Sequence, residues 1–338
     1  MKTDGFRYQL PEGAIAQQPI EPRDAARLLD TRDLSDRRFS DLPNLLQPSD
    51  LLVINTSRVR AARLLGTKVG TGGAVELLLL SDLGDGRWSA LAKPARRLRE
   101  GVAIDLGNLQ AVIEQGPRDG KVVAALSSRT GSVEEAIEGV GRLPLPPYIR
   151  SELSDPERYQ TVYSDKVGSA AAPTAGLHFT PGLLDGLADR GVSVAHIDLE
   201  VGLDSFRPIA SSRIEDHALH AERYRVPAET AASISETRRH QGRVVAVGTT
   251  VVRALETQAR RGGDVEPGAG NTSLFIKPGY EFRVVDALVT NFHLPASTLI
   301  VLVAAFMGEP WRKAYEVALD RGYRFLSFGD AMYAERAS

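Results

Sequence analysis

Three short segments of this 338-residue chain concentrate side chains that do chemistry. Pro173-Thr-Ala-Gly-Leu-His-Phe179 carries Thr174, Gly176 and His178. Val247-Gly-Thr-Thr-Val-Val-Arg253 carries Thr249, Thr250 and Arg253. Thr290-Asn-Phe-His-Leu-Pro295 carries Asn291 and His293. In each, Gly or Pro stands beside Thr, Asn or His where an apolar run meets the start of a helix. Loops of that kind on a rigid scaffold are where binding and catalytic residues gather.

An imidazole can act as base or hydrogen-bond donor near neutral pH. A histidine between apolar neighbours, as His178 and His293 both are, is equally typical of a satisfied core position. Thr249 and Thr250 follow a glycine at a helix start, where free N–H groups can hold a phosphate or carboxylate. Ordinary capping produces the same pattern. Arg253, one turn later, can reach the same anion or form a salt bridge. His217 and His220 lie near Glu215, Asp216 and Glu222, but His-x-x-His without a fixed third ligand is a weak metal signal. A polar loop or helix face is the preferred reading there, and no metal is expected. The chain has no Gly-x-Ser-x-Gly elbow, no Gly-x-Gly-x-x-Gly after a strand and no phosphate loop ending in Gly-Lys-Ser/Thr.

The elements that must position these segments alternate between strand and helix. Residues 51–54 read as a buried strand entering a polar loop. Residues 192–199, 243–247 and 284–289 read as further strands. Thr180 caps a helix with Pro181 in its first turn and Gly191 as its stop. Gly248 is a turn, with Thr249 or Thr250 capping a helix to about residue 261 that Gly262 and Gly263 end. Ser297 caps another. Such units build a parallel or mixed sheet with ligands beyond the carboxyl ends of its strands, so the three segments converge on one edge. Residues 74–80, 88–92, 102–104, 111–113 and 122–126 instead alternate with Gly/Asp turns about every 8–12 residues, which indicates a small all-β barrel or sandwich. A Pro-rich stretch, Arg142-Leu-Pro-Leu-Pro-Pro-Tyr148, closes it as a stiff linker. The expected organisation is an α/β main domain with a mixed sheet, residues 1–65 and 150–338, and an inserted β-domain, residues 66–149.

Composition sets the bounds. At 43% hydrophobic residues the chain can bury a large core, and its formal charge of −2 does not by itself announce an anionic partner. Cysteine is absent, which removes disulfides, thiolate nucleophiles and Cys-ligated metals. The first ten residues lack the apolar core of a signal peptide, and the longest apolar run near the C-terminus is about half the length a membrane span needs. A soluble cytoplasmic monomer with no membrane partner is expected. Residues 58–100 hold nine Lys/Arg against four Asp/Glu. That local basic excess, including Arg58, Arg96 and Arg97, fits contact with a nucleic-acid backbone as well as it fits a solvated face.

The chain also resembles a known family, the S-adenosylmethionine:tRNA ribosyltransferase-isomerases of queuosine biosynthesis. The likeness runs through Tyr8-Gln-Leu-Pro-Glu12, Ala62-Arg-Leu-Leu-Gly66, Val75-Glu-Leu-Leu-Leu79, Pro144-Leu-Pro-Pro-Tyr-Ile149 and Arg158-Tyr-Gln-Thr-Val-Tyr163. It continues through the three segments above, Leu274-Phe-Ile-Lys-Pro-Gly-Tyr280 and Gly329-Asp-Ala-Met332. The resemblance implies an α/β domain with an inserted β-barrel. It implies S-adenosylmethionine as a substrate rather than a bound prosthetic group, and tRNA bearing an aminomethyl-deazaguanine as the partner. The implied reaction moves the ribosyl unit onto that aminomethyl group and isomerises it, giving epoxyqueuosine with release of adenine and methionine. Such chemistry needs a base, donors for the departing adenine and a site that excludes water. On this view His178 and His293 are candidates for proton transfer. Thr174, Gly176, Glu200, Thr249, Thr250, Arg253 and Asn291 bind substrate, and Arg58, Arg96 and Arg97 contact RNA.

Two family words are altered: the usual Asn-Asp-Thr-Arg near the first strand is Asn55-Thr-Ser-Arg58 here, and the second change is larger. Where His-Val-Gly-x-Gly-Thr-Phe-x-Pro is usual, this chain has Glu200-Val-Gly-Leu-Asp-Ser-Phe-Arg-Pro208. A carboxylate replaces an imidazole at Glu200, and Asp204-Ser205 replaces Gly-Thr, which changes both charge and donor capacity. The alternatives to the main reading are a paralogue that binds S-adenosylmethionine or tRNA without turnover, and the same fold acting on another acceptor.

Overall fold

The computed structural model describes residues 1–118, 120–202, 208–219, 221–260 and 262–337. The altered positions Asp204 and Ser205, and His220 of the weak metal motif, fall outside them. The chain divides into two compact units, Met1–Arg58 with Pro146–Ser338, and Val59–Leu145.

The first unit is built on a nine-stranded mixed sheet. Its order is Gly268–Thr272, Glu222–Val226, Ser193–Leu199, Leu51–Asn55, Val244–Val247, Ala287–Asn291, Ala331–Glu335, Arg27–Asp30, Ser35–Arg38. The four strands from Ser193–Leu199 to Ala287–Asn291 are mutually parallel, with Leu51 beside both Ser193 and Val244, and Val245 beside Ala287. The outer strands Glu222–Val226 and Ala331–Glu335 run antiparallel to their inner neighbours.

The central strands are apolar without interruption because both faces of the sheet are covered. Leu51 and Val53 face one core with Ile300, Val303 and Phe306 of the helix Thr298–Met307. Leu52 and Ile54 face the other, with Phe39, Phe179, Leu183 and Leu187. This two-residue alternation holds the register, since a slip of one residue would exchange the two faces. The caps at Thr180 and Ser297 form as expected, accepting from the Leu183 N–H at 3.1 Å and the Ile300 N–H at 3.3 Å. Gly191, with φ +77°, follows the helix Pro181–Asp189. The helix after Gly248 differs from expectation: it spans Thr249–Gln258, and Gly248 itself holds the cap position at φ +90°. Neither threonine side chain caps it, because the positive-φ turn sets Thr249 inside the helix.

The second unit is a closed antiparallel barrel of six strands: Arg63–Lys68, Ala74–Gly84, Arg87–Lys93, Ala103–Asp105, Leu109–Arg118 and Lys121–Ser128. Leu64, Leu77, Ala90, Ile104, Ala111 and Ala124 fill its interior. A Cβ at Gly66 would lie 2.2 Å from the Asp105 carbonyl oxygen, so glycine is required there. The unit also contains a helix, Val133–Val140, begun by a capping box between Ser132 and Glu135. An all-β reading of this region omits that helix.

Candidate functional site

The four parallel strands end on one edge of the sheet; Asn291 is the last residue of one, and the segments that follow two others carry Glu200, Thr249 and Thr250. The Pro173–Phe179 segment lies on the same edge. A small cavity of about 30 Å³ is lined by Thr174, Thr249, Thr250, Thr290, Asn291 and His293, together with Gly248. A second of similar size shares Thr174, Asn291 and His293 and adds Tyr148 and Ser327. The three segments picked out by their residue types therefore meet.

Asn291 is the hub. Its Nδ2 lies 3.2 Å from His178 Nε2 and donates to the Asp330 carbonyl at 3.4 Å, while its Oδ1 accepts from Thr174 Oγ1 at 3.0 Å. Thr250 Oγ1 is buried and has no hydrogen-bond partner among the described residues. A buried hydroxyl without a partner is costly, and Thr250 is among the residues that line the cavity.

The two histidines have different surroundings. His178 is buried, packs its ring 4.8 Å from that of Phe39, and borders a separate small cavity with Arg23 and Arg158. Burial and the nearby Arg324 cation lower its pKa from 6.5 to about 3, against a backbone hydrogen bond to Arg23. His293 borders both small cavities at the sheet edge. Its Nε2 is 3.3 Å from Thr290 Oγ1, its Nδ1 is 3.3 Å from the Tyr315 hydroxyl, and its backbone N–H donates to that hydroxyl at 3.1 Å. The Tyr8 hydroxyl donates to the His293 carbonyl. Burial alone lowers the His293 pKa to about 3. Both rings are neutral at physiological pH.

Other residues stand away from the hub. The Arg253 guanidinium is buried, ion-paired to Glu222, and donates to the Leu274 and Thr272 carbonyls at 3.0 and 3.3 Å. Its donors are thus directed at the protein. Gly176 is not among the residues that line these two cavities, and a Cβ there would lie 2.1 Å from the Tyr163 hydroxyl, so the position is closely packed. Glu200 borders a cavity of about 410 Å³ with Lys166, Asp198, Arg223 and Arg225, and its carboxylate is 3.7 Å from Arg223. Arg58 donates to Ser164 Oγ at 3.1 Å and pairs with Glu157. Arg96 and Arg97 are exposed in the turn after Lys93, with no carboxylate within 4.0 Å among the described residues. Also among the described residues, no group of three or more His, Asp or Glu could hold a metal ion, and no helix is long and apolar enough to cross a membrane.

Residue-type reasoning overlooks Tyr8, Thr290, Tyr315 and Asp330. Tyr8 and Asp330 stand in the words that carry the family likeness, and Thr290 opens the Asn-Phe-His segment, so a signal was present for these three. Tyr315 lies in an ordinary amphipathic helix, Pro310–Asp320, and nothing local marks it.

Polar groups gathered beyond the carboxyl ends of parallel strands define a ligand-binding α/β protein. Residues 3–334 match the family described as queuosine biosynthesis protein. The chain is 49% identical over 339 residues to the S-adenosylmethionine:tRNA ribosyltransferase-isomerase of Moorella thermoacetica, covering 98% of this chain and 99% of that one. It is 51% identical over 340 residues, with the same coverage, to the protein of that name from Symbiobacterium thermophilum. The crystal structure of S-adenosylmethionine tRNA ribosyltransferase from Thermotoga maritima is similar, with 38% identity, a TM-score of 0.55, and coverage of 97% of this chain and 99% of that one. The chain belongs to the queuosine biosynthesis protein family.

Proposed function

We propose that this protein is an S-adenosylmethionine-dependent tRNA ribosyltransferase-isomerase. It moves the ribosyl unit of S-adenosylmethionine onto the aminomethyl group of 7-aminomethyl-7-deazaguanine in tRNA, giving epoxyqueuosine-tRNA, adenine and methionine. The aminomethyl nitrogen bonds to a ring carbon, a C1′–C5′ bond closes the cyclopentane and the ring oxygen gains a bond to C5′ as the epoxide. The glycosidic bond to adenine, the C5′–sulfur bond and one original bond of the ring oxygen break. The amine and C5′ each lose a proton, and adenine takes one up. Isomerisation requires loss of a proton beside the sulfonium, whose positive charge acidifies it.

The observation that carries this reading is the 49–51% identity, over 98% of the chain, to S-adenosylmethionine:tRNA ribosyltransferase-isomerases, and the polar cavity at the sheet edge is compatible with it. A sulfonium cation is repelled by a charged imidazolium, and His293, the histidine that lines this cavity, stays uncharged at neutral pH. The unpartnered Thr250 hydroxyl and the Thr174 hydroxyl offer contacts for ribose hydroxyls or the adenine. Asn291 and Thr249 complete that wall. His293, which borders the cavity and whose two ring nitrogens are held only by 3.3 Å contacts to Thr290 and Tyr315, is the candidate for proton transfer. Gly176 and Arg253 act at one remove, the first by close packing and the second by holding Glu222. Glu200 borders the neighbouring charged cavity, where the acceptor nucleoside would enter. Arg58, Arg96 and Arg97 contact the tRNA backbone, and the protein acts as a cytoplasmic monomer.

The test is incubation with S-adenosylmethionine and tRNA carrying the aminomethyl-deazaguanine. Adenine release that requires both substrates is expected. Folded protein that releases none overturns the proposal. The carboxylate at Glu200 favours one second reading, the same chemistry on another acceptor, which would appear as adenine release without the tRNA product.

A further inference from the structure

His178 is a candidate base by residue type, but the bonds around it assign it another task. Asn291 has an amide whose two ends differ, and its orientation is decided by the Asp330 carbonyl 3.4 Å from Nδ2. A carbonyl oxygen can only accept, so the NH₂ group must face it. The same NH₂ then faces His178 Nε2 at 3.2 Å. That nitrogen must be the unprotonated one, and in the neutral ring the proton must then sit on Nδ1. On its other side the Asn291 Oδ1, an acceptor only, faces Thr174 Oγ1 at 3.0 Å. The Thr174 hydroxyl must therefore direct its proton at Asn291.

We propose that His178 is a positioning residue, held as the Nδ1–H tautomer, which with the Asp330 carbonyl fixes the Asn291 amide and so turns the Thr174 oxygen lone pairs toward the substrate. Thr174 is thereby an acceptor, selective for a donor on the ligand: a ribose hydroxyl or the exocyclic amine of adenine. A free threonine hydroxyl would serve either way, whereas this one discriminates, because a ligand acceptor placed there would meet lone pairs and lose its hydrogen bond. Protonation of His178 would set two donors face to face across 3.2 Å, release the amide and erase the preference. The cavity borders fit this division of labour: Thr174 and Asn291 line the cavities at the sheet edge, while His178 lies behind them beside Arg23 and Arg158. This inference rests on the proposed ribosyl transfer for its substrate, but the tautomer it requires does not.

The first arm of the test is therefore free of activity. In full-length protein with ¹⁵N-labelled histidine, His178 is assigned by loss of its signals in His178→Gln. An Nδ1–H, Nε2-unprotonated pattern that does not titrate between pH 5 and 8 is expected. An Nε2–H pattern, or titration near the ordinary imidazole value, overturns the proposal. The second arm uses turnover. Gln can place an acceptor oxygen where Nε2 stands, so His178→Gln should keep kcat/KM within about tenfold of wild type, a single hydrogen bond's worth. His178→Leu and Thr174→Val should each lower it on the order of 100-fold, and the double variant should be no worse than Thr174→Val alone, since both remove one directed acceptor. A His178→Gln enzyme as inactive as His178→Leu, or additive losses in the double variant, overturns it. Wild-type protein without turnover would instead refute the proposed reaction and leave the NMR arm to decide the tautomer.

Discussion

Arg253 and Glu222 form a buried ion pair, and the second Glu222 oxygen accepts the Gly202 N–H at 2.8 Å. The helix Thr249–Gln258 is thus tied, through one carboxylate, to the segment that opens the altered family word at residues 200–208. Removing one partner from a buried pair leaves a charge without compensation, so Glu222→Ala should lower stability by about 3–5 kcal/mol. Replacing both, Arg253→Met with Glu222→Leu, should recover most of that loss. Urea denaturation measures both. If Arg253 instead gripped a substrate carboxylate, Arg253→Met would raise KM for S-adenosylmethionine at least tenfold while leaving stability in place.

The buried histidines make stability depend on pH. Burial, assisted at His178 by Arg324, lowers both folded-state pKa values from 6.5 to about 3, while the unfolded chain titrates near 6.5. Between those values the unfolded state binds more protons, so stability rises with pH. The contribution is complete above about pH 6.5 and is lost as pH falls toward 3. Each histidine adds a slope of about 1.4 kcal/mol per pH unit within that window. Denaturation at a series of pH values should show the slope, and His293→Gln should flatten it by one histidine's share.

Gly176 is fixed by the space Tyr163 occupies. Its alanine variant would bring Cβ to 2.1 Å from the Tyr163 hydroxyl and 2.9 Å from Thr161 Cγ2. Overpacking of this kind costs about 1–3 kcal/mol. Thermal or urea unfolding of Gly176→Ala should register that loss. Full stability with a selective loss of S-adenosylmethionine binding would assign the glycine to direct substrate approach instead.

Arg96 and Arg97 are exposed in the barrel unit. Charge reversal at both should weaken tRNA binding and reduce the slope of log K against log salt by about one for each phosphate no longer engaged. Stability should stay within about 0.5 kcal/mol of wild type, as for other surface changes. Filter binding at several salt concentrations reads the slope. An unchanged slope would remove these residues from the RNA-binding face.

The parts of the fold legible in the sequence are those with local causes. Thr180, Pro181 and Ser297 announce helix starts because capping is decided within one turn. Residues 244–247 announce a central strand because both of its faces are buried. The placement of Ala331–Glu335 between Ala287–Asn291 and Arg27–Asp30 has no such cause: it pairs Leu28 with Ala331 across nearly the whole chain. The site divides in the same way. Thr174, Asn291 and His293 declare themselves by type and loop position. The different tasks of His178 and His293, and the capture of Arg253 by Glu222, depend on which neighbours the sheet brings up, and residue type does not carry that.

If the proposed reaction is right, the ribosyl carbons of S-adenosylmethionine end in the tRNA. Incubating the protein with S-adenosylmethionine labelled with ¹³C throughout its ribose, together with tRNA bearing the aminomethyl-deazaguanine, tests this by mass spectrometry of the digested nucleosides. Every ribose carbon label should appear in the new nucleoside, with one adenine and one methionine released for each. Adenine release with the label left in a free sugar, or a modified nucleoside without label, would contradict ribosyl transfer.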